Sequence, residues 1–301
     1  MIDGLPEGLV ARPLTWDDLD AVFRLERECE AFDDGVAEVE RSDIESEWRR
    51  PSFDLAGESV GVFDADRLLA YAEVFQSRAE AVVAPAERGR GLGTPLARWT
   101  WGSARANGRP EVGQSISDTE EDAAALFASL GYERGHTSWI LQTDVAELPP
   151  PPSIPDGLAL RPYRPDQDER AMFDVIETAF SEWADREPNT FGDWRAQFLD
   201  REEVRPDLQL LAVDGERVVG VAITFDYAED AEGWVQQLAV DAAYRGRGLA
   251  RALLQESFRR FHALGRRSCG LSTDSRTGAL GLYEHVGMQV RKSYTHWTKR
   301  L

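Results

Sequence analysis

The segment Trp234-Val235-Gln236-Gln237-Leu238-Ala239-Val240 leads, through Asp241 to Tyr244, into Arg245-Gly246-Arg247-Gly248-Leu249-Ala250-Arg251. Apolar Val235, Leu238 and Val240 mark the first part as a strand. Beyond the glycines, Leu249, Leu253, Leu254, Phe258, Phe261 and Leu264 fall close to a helical stripe, which Gly265 ends. A strand that passes through a glycine turn into a helix has a direct physical meaning. Glycine lets backbone amides point inward and lets a ligand approach closely. The helix N-terminus behind them adds about half a positive charge. With Arg247 and Arg251 beside it, the turn reads as a pyrophosphate site.

A single glycine turn is weak grounds, but this one occurs twice. Arg88-Gly89-Arg90-Gly91-Leu92-Gly93 answers to Arg245–Ala250, with Arg90 and Arg98 as the nearby charges. Gly8-Leu9-Val10-Ala11-Arg12-Pro13 answers to Gly157-Leu158-Ala159-Leu160-Arg161-Pro162, and residues 62–70 answer to 212–220. Leu126-Phe127-Ala128-Ser129-Leu130-Gly131-Tyr132 answers to Leu282-Tyr283-Glu284-His285-Val286-Gly287-Met288. The four offsets are 149, 150, 157 and 156 residues, so the matches keep their order and register. Repeats of this kind mean a duplicated domain. The run Leu148-Pro149-Pro150-Pro151-Pro152-Ser153-Ile154-Pro155 separates the copies as a stiff linker. The expected organisation is therefore a domain at 1–148, a linker at 149–155 and a domain at 156–301.

Each half follows the order strand, helices, strands, glycine turn, helix, strand, helix and closing strands. Leu208–Val213 and Arg217–Phe225 flank Asp214-Gly215, a hairpin signal. The helix from Leu92 to Asn107 is less regular than its partner, with Pro95 in its first turn and Gly102 within it. The fold class is mixed α/β: two tandem domains, each a mixed central β-sheet flanked by helices.

Composition narrows the function. The 301 residues carry a net charge of −20, which opposes nucleic-acid binding driven by phosphate neutralisation. Residues 1–148 account for −16 and residues 149–301 for −4, so a cationic ligand is expected at the first half and a polyanion at the second. No apolar run reaches the 18 residues of a transmembrane candidate, and Ile2 to Glu7 do not read as a secretory signal; the expectation is a cytoplasmic protein without membrane association. Cys29 and Cys269 are too few for a disulfide framework, and His136, His262, His285 and His296 lack metal-ligand spacing, so no metal is expected. A dinucleotide fold would place its glycines after the first strand, and a P-loop needs Gly-Lys-Ser/Thr. Neither occurs.

Both halves resemble the GNAT superfamily of acyl-CoA-dependent N-acyltransferases. The pyrophosphate signature of that family, Gln/Arg-x-x-Gly-x-Gly/Ala, is met by Arg88–Gly93 and by Arg245–Ala250, and its later Leu-Tyr-Glu-x-x-Gly block by Leu282–Gly287. The tandem arrangement is similar to the mycothiol synthase branch. The resemblance implies direct transfer of an acetyl group from acetyl-CoA to an amine. It implies CoA contacts from Arg88, Gly89, Arg90, Gly91, Leu92 and Gly93, and from Arg245, Gly246, Arg247, Gly248, Leu249, Ala250 and Arg251. Backbone of Leu238, Ala239 and Val240 would hold the thioester.

The general acid of the family maps to Tyr283, where the first half has Phe127, which has no proton to give. The second half is therefore expected to be catalytic and the first degenerate. A base is harder to place, because the strand reads Trp234-Val235-Gln236-Gln237 where relatives often carry Glu. Glu232 is the nearest carboxylate; His285, His296, or an amine that arrives neutral are the alternatives. The acceptor is expected to be a small-molecule amine and the protein a monomer or weak dimer. A CoA-binding sensor or scaffold without catalysis, and an acyltransferase using a longer acyl-CoA, remain open.

Overall fold

The computed structural model describes residues 2–183 and 186–301. The chain begins with β1 (Val10–Arg12), α1 (Leu19–Asp33), α2 (Arg41–Trp48) and the single turn α3 (Leu55–Glu58). Strands β2 (Ser59–Asp64), β3 (Arg67–Phe75) and β4 (Arg78–Val83) follow, then α4 (Gly93–Ala106), β5 (Glu111–Ser117), α5 (Glu121–Ser129) and β6 (Glu133–Asp144). Residues 148–155 form neither helix nor strand. The order then repeats: β7 (Leu158–Pro162), α6 (Glu169–Phe180), α7 (Phe191–Phe198), β8 (Leu210–Asp214), β9 (Arg217–Tyr227) and β10 (Glu232–Val240). It closes with α8 (Leu249–Ala263), β11 (Ser268–Asp274), α9 (Leu280–His285) and β12 (Gln289–Arg300).

The repeat extends to side-chain detail. Arg12 Nη1 and Nη2 both donate to Asp18 at 2.7 Å, and Arg161 Nη1 and Nη2 donate to Asp168 at 2.6 and 2.8 Å. Each bidentate pair ties the first strand of a half to the start of its first helix. The partner arginine holds each aspartate below its ordinary pKa.

Two compact units result, one made of residues up to Thr137 with Tyr294–Leu301, the other of Ser138–Ser293. The first has the sheet β1-β2-β3-β4-β5, completed by Tyr294–Arg300 of β12 paired antiparallel with Ser117–Glu111. The second has β7-β8-β9-β10-β11, completed by Ser138–Asp144 of β6 paired antiparallel with Asp274–Ser268. The units thus divide within β6 and β12, and not at the proline-rich stretch where the sequence places the boundary. At 12 residues each, these two strands are longer than one sheet edge requires. The proline-rich stretch falls inside the second unit, where Arg259 Nη1 donates to the Pro149 carbonyl at 2.6 Å.

In the second unit, α6 and α7 cover one sheet face through Met172, Phe173, Ile176 and Trp194. Leu253 of α8 packs on the other face with Val219, Ala222 and Val240, and Leu254, Phe258 and Phe261 pack there with Val235 and Leu271. Each buried Leu or Phe contributes about 1.5–3 kcal/mol by leaving water, which fixes α8 against β10. Gly233 is required for that fit, since a Cβ there would lie 2.3 Å from the Phe261 ring. In the first unit α1 and α2 cover one face through Val22, Leu25, Ile44 and Trp48, while Leu92 and Leu96 at the start of α4 pack on the other.

Candidate active site

Strand β10 belongs to two ladders over only part of its length. It pairs antiparallel with β9 from Glu232 to Val240, with a register shift between Val235 and Gln237. Its parallel pairing with β11 covers Glu232 to Val235 and stops at Val235–Leu271. From Gln236 to Val240 the edge facing β11 therefore has no strand partner. A bulge bends the strand that carries it, which is the physical cause of the parting. Buried backbone donors and acceptors are normally paired. An unpaired edge beside a parted strand is thus fitted to receive the amides of an extended ligand, and Leu238, Ala239 and Val240 lie on it.

The glycine turn stands at the end of this edge. Asp241 Oδ1 accepts from the Ala243 amide at 2.9 Å and closes the short turn Ala242–Tyr244. Arg245 Nε donates to the Val240 carbonyl at 3.0 Å, and its Nη1 donates to Glu182 at 2.6 Å. Arg245 therefore braces the loop onto the strand. Gly248 is the N-cap of α8 with φ +87°, and no side chain caps that end. Gly246 and Gly248 have no atom within 4 Å of an added Cβ, so the surface above the amides is open. Arg247 and Arg251 are exposed and, among the described residues, have no carboxylate partner. This combination of uncapped amides and free guanidinium groups suits a pyrophosphate.

Tyr283 lies in α9, on the β11 side of the parted strands. Its side chain is 8% exposed among Leu271, Met288 and Phe258, and its hydroxyl lies toward the Thr273 side chain. Thr273 is in the part of β11 beyond Leu271, where β10 has already left. Burial raises the phenol pKa, so the hydroxyl keeps its proton at neutral pH.

The other sequence candidates fall elsewhere. Glu232 stands at the closed end of β10, opposite Ser268, and Gln142 Nε2 donates to its Oε1 at 2.8 Å. Burial raises its pKa, with Gln142 and Ser268 opposing the shift. Gln236, the first residue past the closed end, is four strand steps away, about 13 Å. His285 is exposed in α9 and bonded through Nδ1 to the Gly281 carbonyl. His296 belongs to the first unit, where Nδ1 lies 3.2 Å from Ser115 Oγ and the ring stacks on His136. Gln237 is buried and accepts from Trp194 Nε1 at 2.9 Å, while exposed Gln236 accepts from Trp234 Nε1 at 2.7 Å.

The first unit repeats the frame with different chemistry. Strand β4 pairs with β5 at Arg78–Gly113, and Arg88 Nε donates to the Val83 carbonyl at 3.2 Å. Arg88, Gly89, Arg90, Gly91, Leu92 and Gly93 form the turn into α4, whose N-terminus also has no side-chain cap. Phe127 occupies the place of Tyr283 and stacks on Tyr132 at 4.5 Å.

Facing α1 and α2 is a carboxylate cluster that sequence reasoning missed. Glu73 of β3 and Glu80 of β4 are direct cross-strand partners, Trp48 Nε1 donates to Glu73 at 2.6 Å, and the Tyr71 hydroxyl donates to Glu26. Burial, then repulsion from Glu80 and Glu47, pushes Glu73 up to about 8. Burial and Glu47 push Glu80 up to about 6. The available signal was Glu80 itself, a strand carboxylate eight residues before Arg88.

Comparison with known proteins agrees with this geometry. The profile of the acetyltransferase (GNAT) family matches residues 169–288. The mycothiol acetyltransferase of Actinosynnema mirum is 32% identical over 217 residues, 71% of this chain and 72% of that protein. That of Pseudarthrobacter chlorophenolicus is 30% identical over 251 residues, 81% of this chain and 72% of its own. The crystal structure of a GCN5-related N-acetyltransferase from Sphaerobacter thermophilus superposes with a TM-score of 0.79 at 31% identity, covering 98% of this chain and 96% of that one. A tandem GNAT protein from the clavulanic acid biosynthesis pathway shares the fold, with a TM-score of 0.74 at 16% identity over 97% of this chain and 98% of its own. The chain belongs to the GNAT acetyltransferase family. It is an acyltransferase that uses acetyl-CoA, as that family does. Among the described residues, no group of three or more His, Cys, Asp or Glu could hold a metal ion, and no helix is long and apolar enough to cross a membrane.

Proposed function

We propose that the second unit transfers an acetyl group from acetyl-CoA to the amine of a small molecule. The observation that carries this is the unpaired edge of β10 from Gln236 to Val240, ending on the uncapped N-terminus of α8. On this reading the edge holds the pantetheine amides, and the amides of Gly246 to Arg251 hold the pyrophosphate. The name of the relatives, mycothiol acetyltransferase, supports a small-molecule acceptor over a protein.

The residues divide the work as follows. The free backbone amides of β10 polarise the thioester carbonyl. The amine nitrogen forms the new bond to carbon as the carbon–sulfur bond breaks, and Tyr283 gives its proton to the departing sulfur. The phenolate recovers a proton from solvent. The amine loses one proton, and β10 offers no carboxylate between Trp234 and Val240 to take it. We assign that proton to solvent and Glu232 to a structural bond with Gln142.

The test is release of free CoA thiol from acetyl-CoA in the presence of a panel of small-molecule amines and of peptides with free N-termini. Amine-dependent release with a small molecule is expected, unchanged in Glu232→Gln. Release with peptides alone would overturn the acceptor class, and a large loss in Glu232→Gln would restore that carboxylate as the base.

A further inference from the structure

The two strand-and-loop clefts differ at both of their ends. In the second unit the Leu238 carbonyl lies on the part of β10 that β11 has left. Its counterpart 157 residues earlier is Ala81 on β4. There the carbonyl is already taken: Gln114 Nε2, from the facing strand β5, donates to it at 3.2 Å. Gln114 is buried, 9% exposed. At the same spacing, the second unit has Leu271, whose side chain has no donor.

The loops differ in charge. Glu87 is buried beside the first loop, accepts from Arg67 at 2.7 Å and is ion-paired with Arg90. These arginines lower its pKa, so it stays ionised. Its counterpart in the second unit is Tyr244, a neutral ring that lies 5.2 Å from the Arg247 guanidinium carbon. The counterpart of exposed Arg251 is Thr94. Among the described residues, the start of the second helix thus offers two cations without a carboxylate partner to a pyrophosphate, whereas at the first loop Arg90 is neutralised by a carboxylate and the other nearby arginine, exposed Arg98, stands further along α4.

We propose that Gln114 and Glu87 hold the cleft of the first unit shut to CoA thioesters, so that each chain takes one acyl-CoA, in its second unit. The inference rests on the reading that these clefts take pantetheine on the strand edge and pyrophosphate on the loop. The Gln114 side-chain amide occupies the acceptor a pantetheine amide would need. Displacing it would leave a buried donor without an acceptor. Glu87 places a negative charge where the ligand is most negative. Gln114 acts as a positioning residue, through a bond to backbone.

The experiment is calorimetric titration with CoA, which counts sites without turnover. Wild-type protein should bind one equivalent, lost in Gly248→Glu and kept in Gly91→Glu. The variant Glu87→Gln/Gln114→Met keeps side-chain shape while removing the charge and the donor. It should bind two equivalents, with the second lost on adding Gly91→Glu. Gln114→Met alone should bind its second equivalent at least tenfold more weakly than the double variant does. Two equivalents in wild-type protein, one of them removed by Gly91→Glu, would overturn the inference. So would a double variant that melts cooperatively, keeps its Gly248-dependent site and still binds one equivalent. That second result would leave the acyl-CoA reading of the second unit intact, whereas no binding in any variant would remove both.

Discussion

Arg245 Nε donates to the carbonyl of Val240 at 3.0 Å, so the first residue of the glycine turn is bonded to the last residue of the strand it follows. Arg88 and Val83 repeat the bond at 3.2 Å. The fixed fork of a guanidinium lets one group reach this carbonyl and Glu182 together, which lysine cannot do. The exposed ion pair itself is worth little, so the bond to the strand carries the effect. Arg245→Ala is expected to weaken CoA binding about tenfold, roughly 1.4 kcal/mol. Arg245→Lys should restore little of it. Titration of both variants with CoA checks this, and equal affinity in wild type and Arg245→Ala would refute the brace.

Tyr283→Phe removes the hydroxyl and keeps the ring, the exchange that Phe127 already represents in the first unit. Turnover is expected to fall by at least tenfold, in line with the roughly 10²–10⁴-fold worth of general acid catalysis. CoA affinity should stay within about twofold, because backbone groups hold the ligand. An unchanged rate would remove Tyr283 from the chemistry.

The matching hairpins give a stability prediction. Gly215 turns the β8–β9 hairpin with φ +59°, and Ala65 turns the β2–β3 hairpin with φ +49°. A left-handed conformation costs an L-residue roughly 1–2 kcal/mol, and glycine returns about 0.5–1 of that as unfolded-state entropy. Ala65→Gly, at an exposed position, is expected to stabilise the protein by about 0.5 kcal/mol and Gly215→Ala to destabilise it by about 1 kcal/mol. Urea unfolding of the two variants checks both signs.

Glu73 gives stability a definite pH dependence. Its ordinary value of 4.5 is raised to about 8 by burial, by Glu80 and Glu47, with Trp48 and Arg78 opposing. Between these values the folded protein holds a proton that the unfolded chain has lost. This contribution is therefore full below about 4.5 and falls away as pH rises to about 8, by up to about 1.4 kcal/mol per pH unit. Glu73→Gln should flatten the decline over that window. A variant whose stability falls with pH as steeply as wild type would contradict the assignment.

How legible the site was depended on how local each feature is. The glycine turns, the strand before them and the helix behind them are written in consecutive residues, and β10 and α8 form where Trp234–Val240 and Leu249–Leu264 predict them. The division of the units depends on which sheet the ends of β6 and β12 join, which no local pattern encodes. Gln114 and Ala81 are 33 residues apart, and Glu73 meets Glu80 only through strand register. His296 reads as part of the second half, yet its strand pairs with β5, so proximity in sequence misplaces it. Glu232 is near the loop in sequence, but the bulge opens the strands above it and leaves it at the paired end.

The central claim is that the Arg245–Arg251 turn binds the pyrophosphate of acyl-CoA. Calorimetric titration of wild-type protein and Gly248→Glu with CoA tests it most directly. A Cβ added at Gly248 meets no protein atom within 4 Å, so the variant starts into open space with the strain of a left-handed residue, roughly 1–2 kcal/mol, and should remain folded. Loss of CoA binding in the second unit, with a cooperative melt retained, is the predicted result. Gly248→Glu protein that binds CoA with wild-type affinity at its wild-type stoichiometry would contradict it.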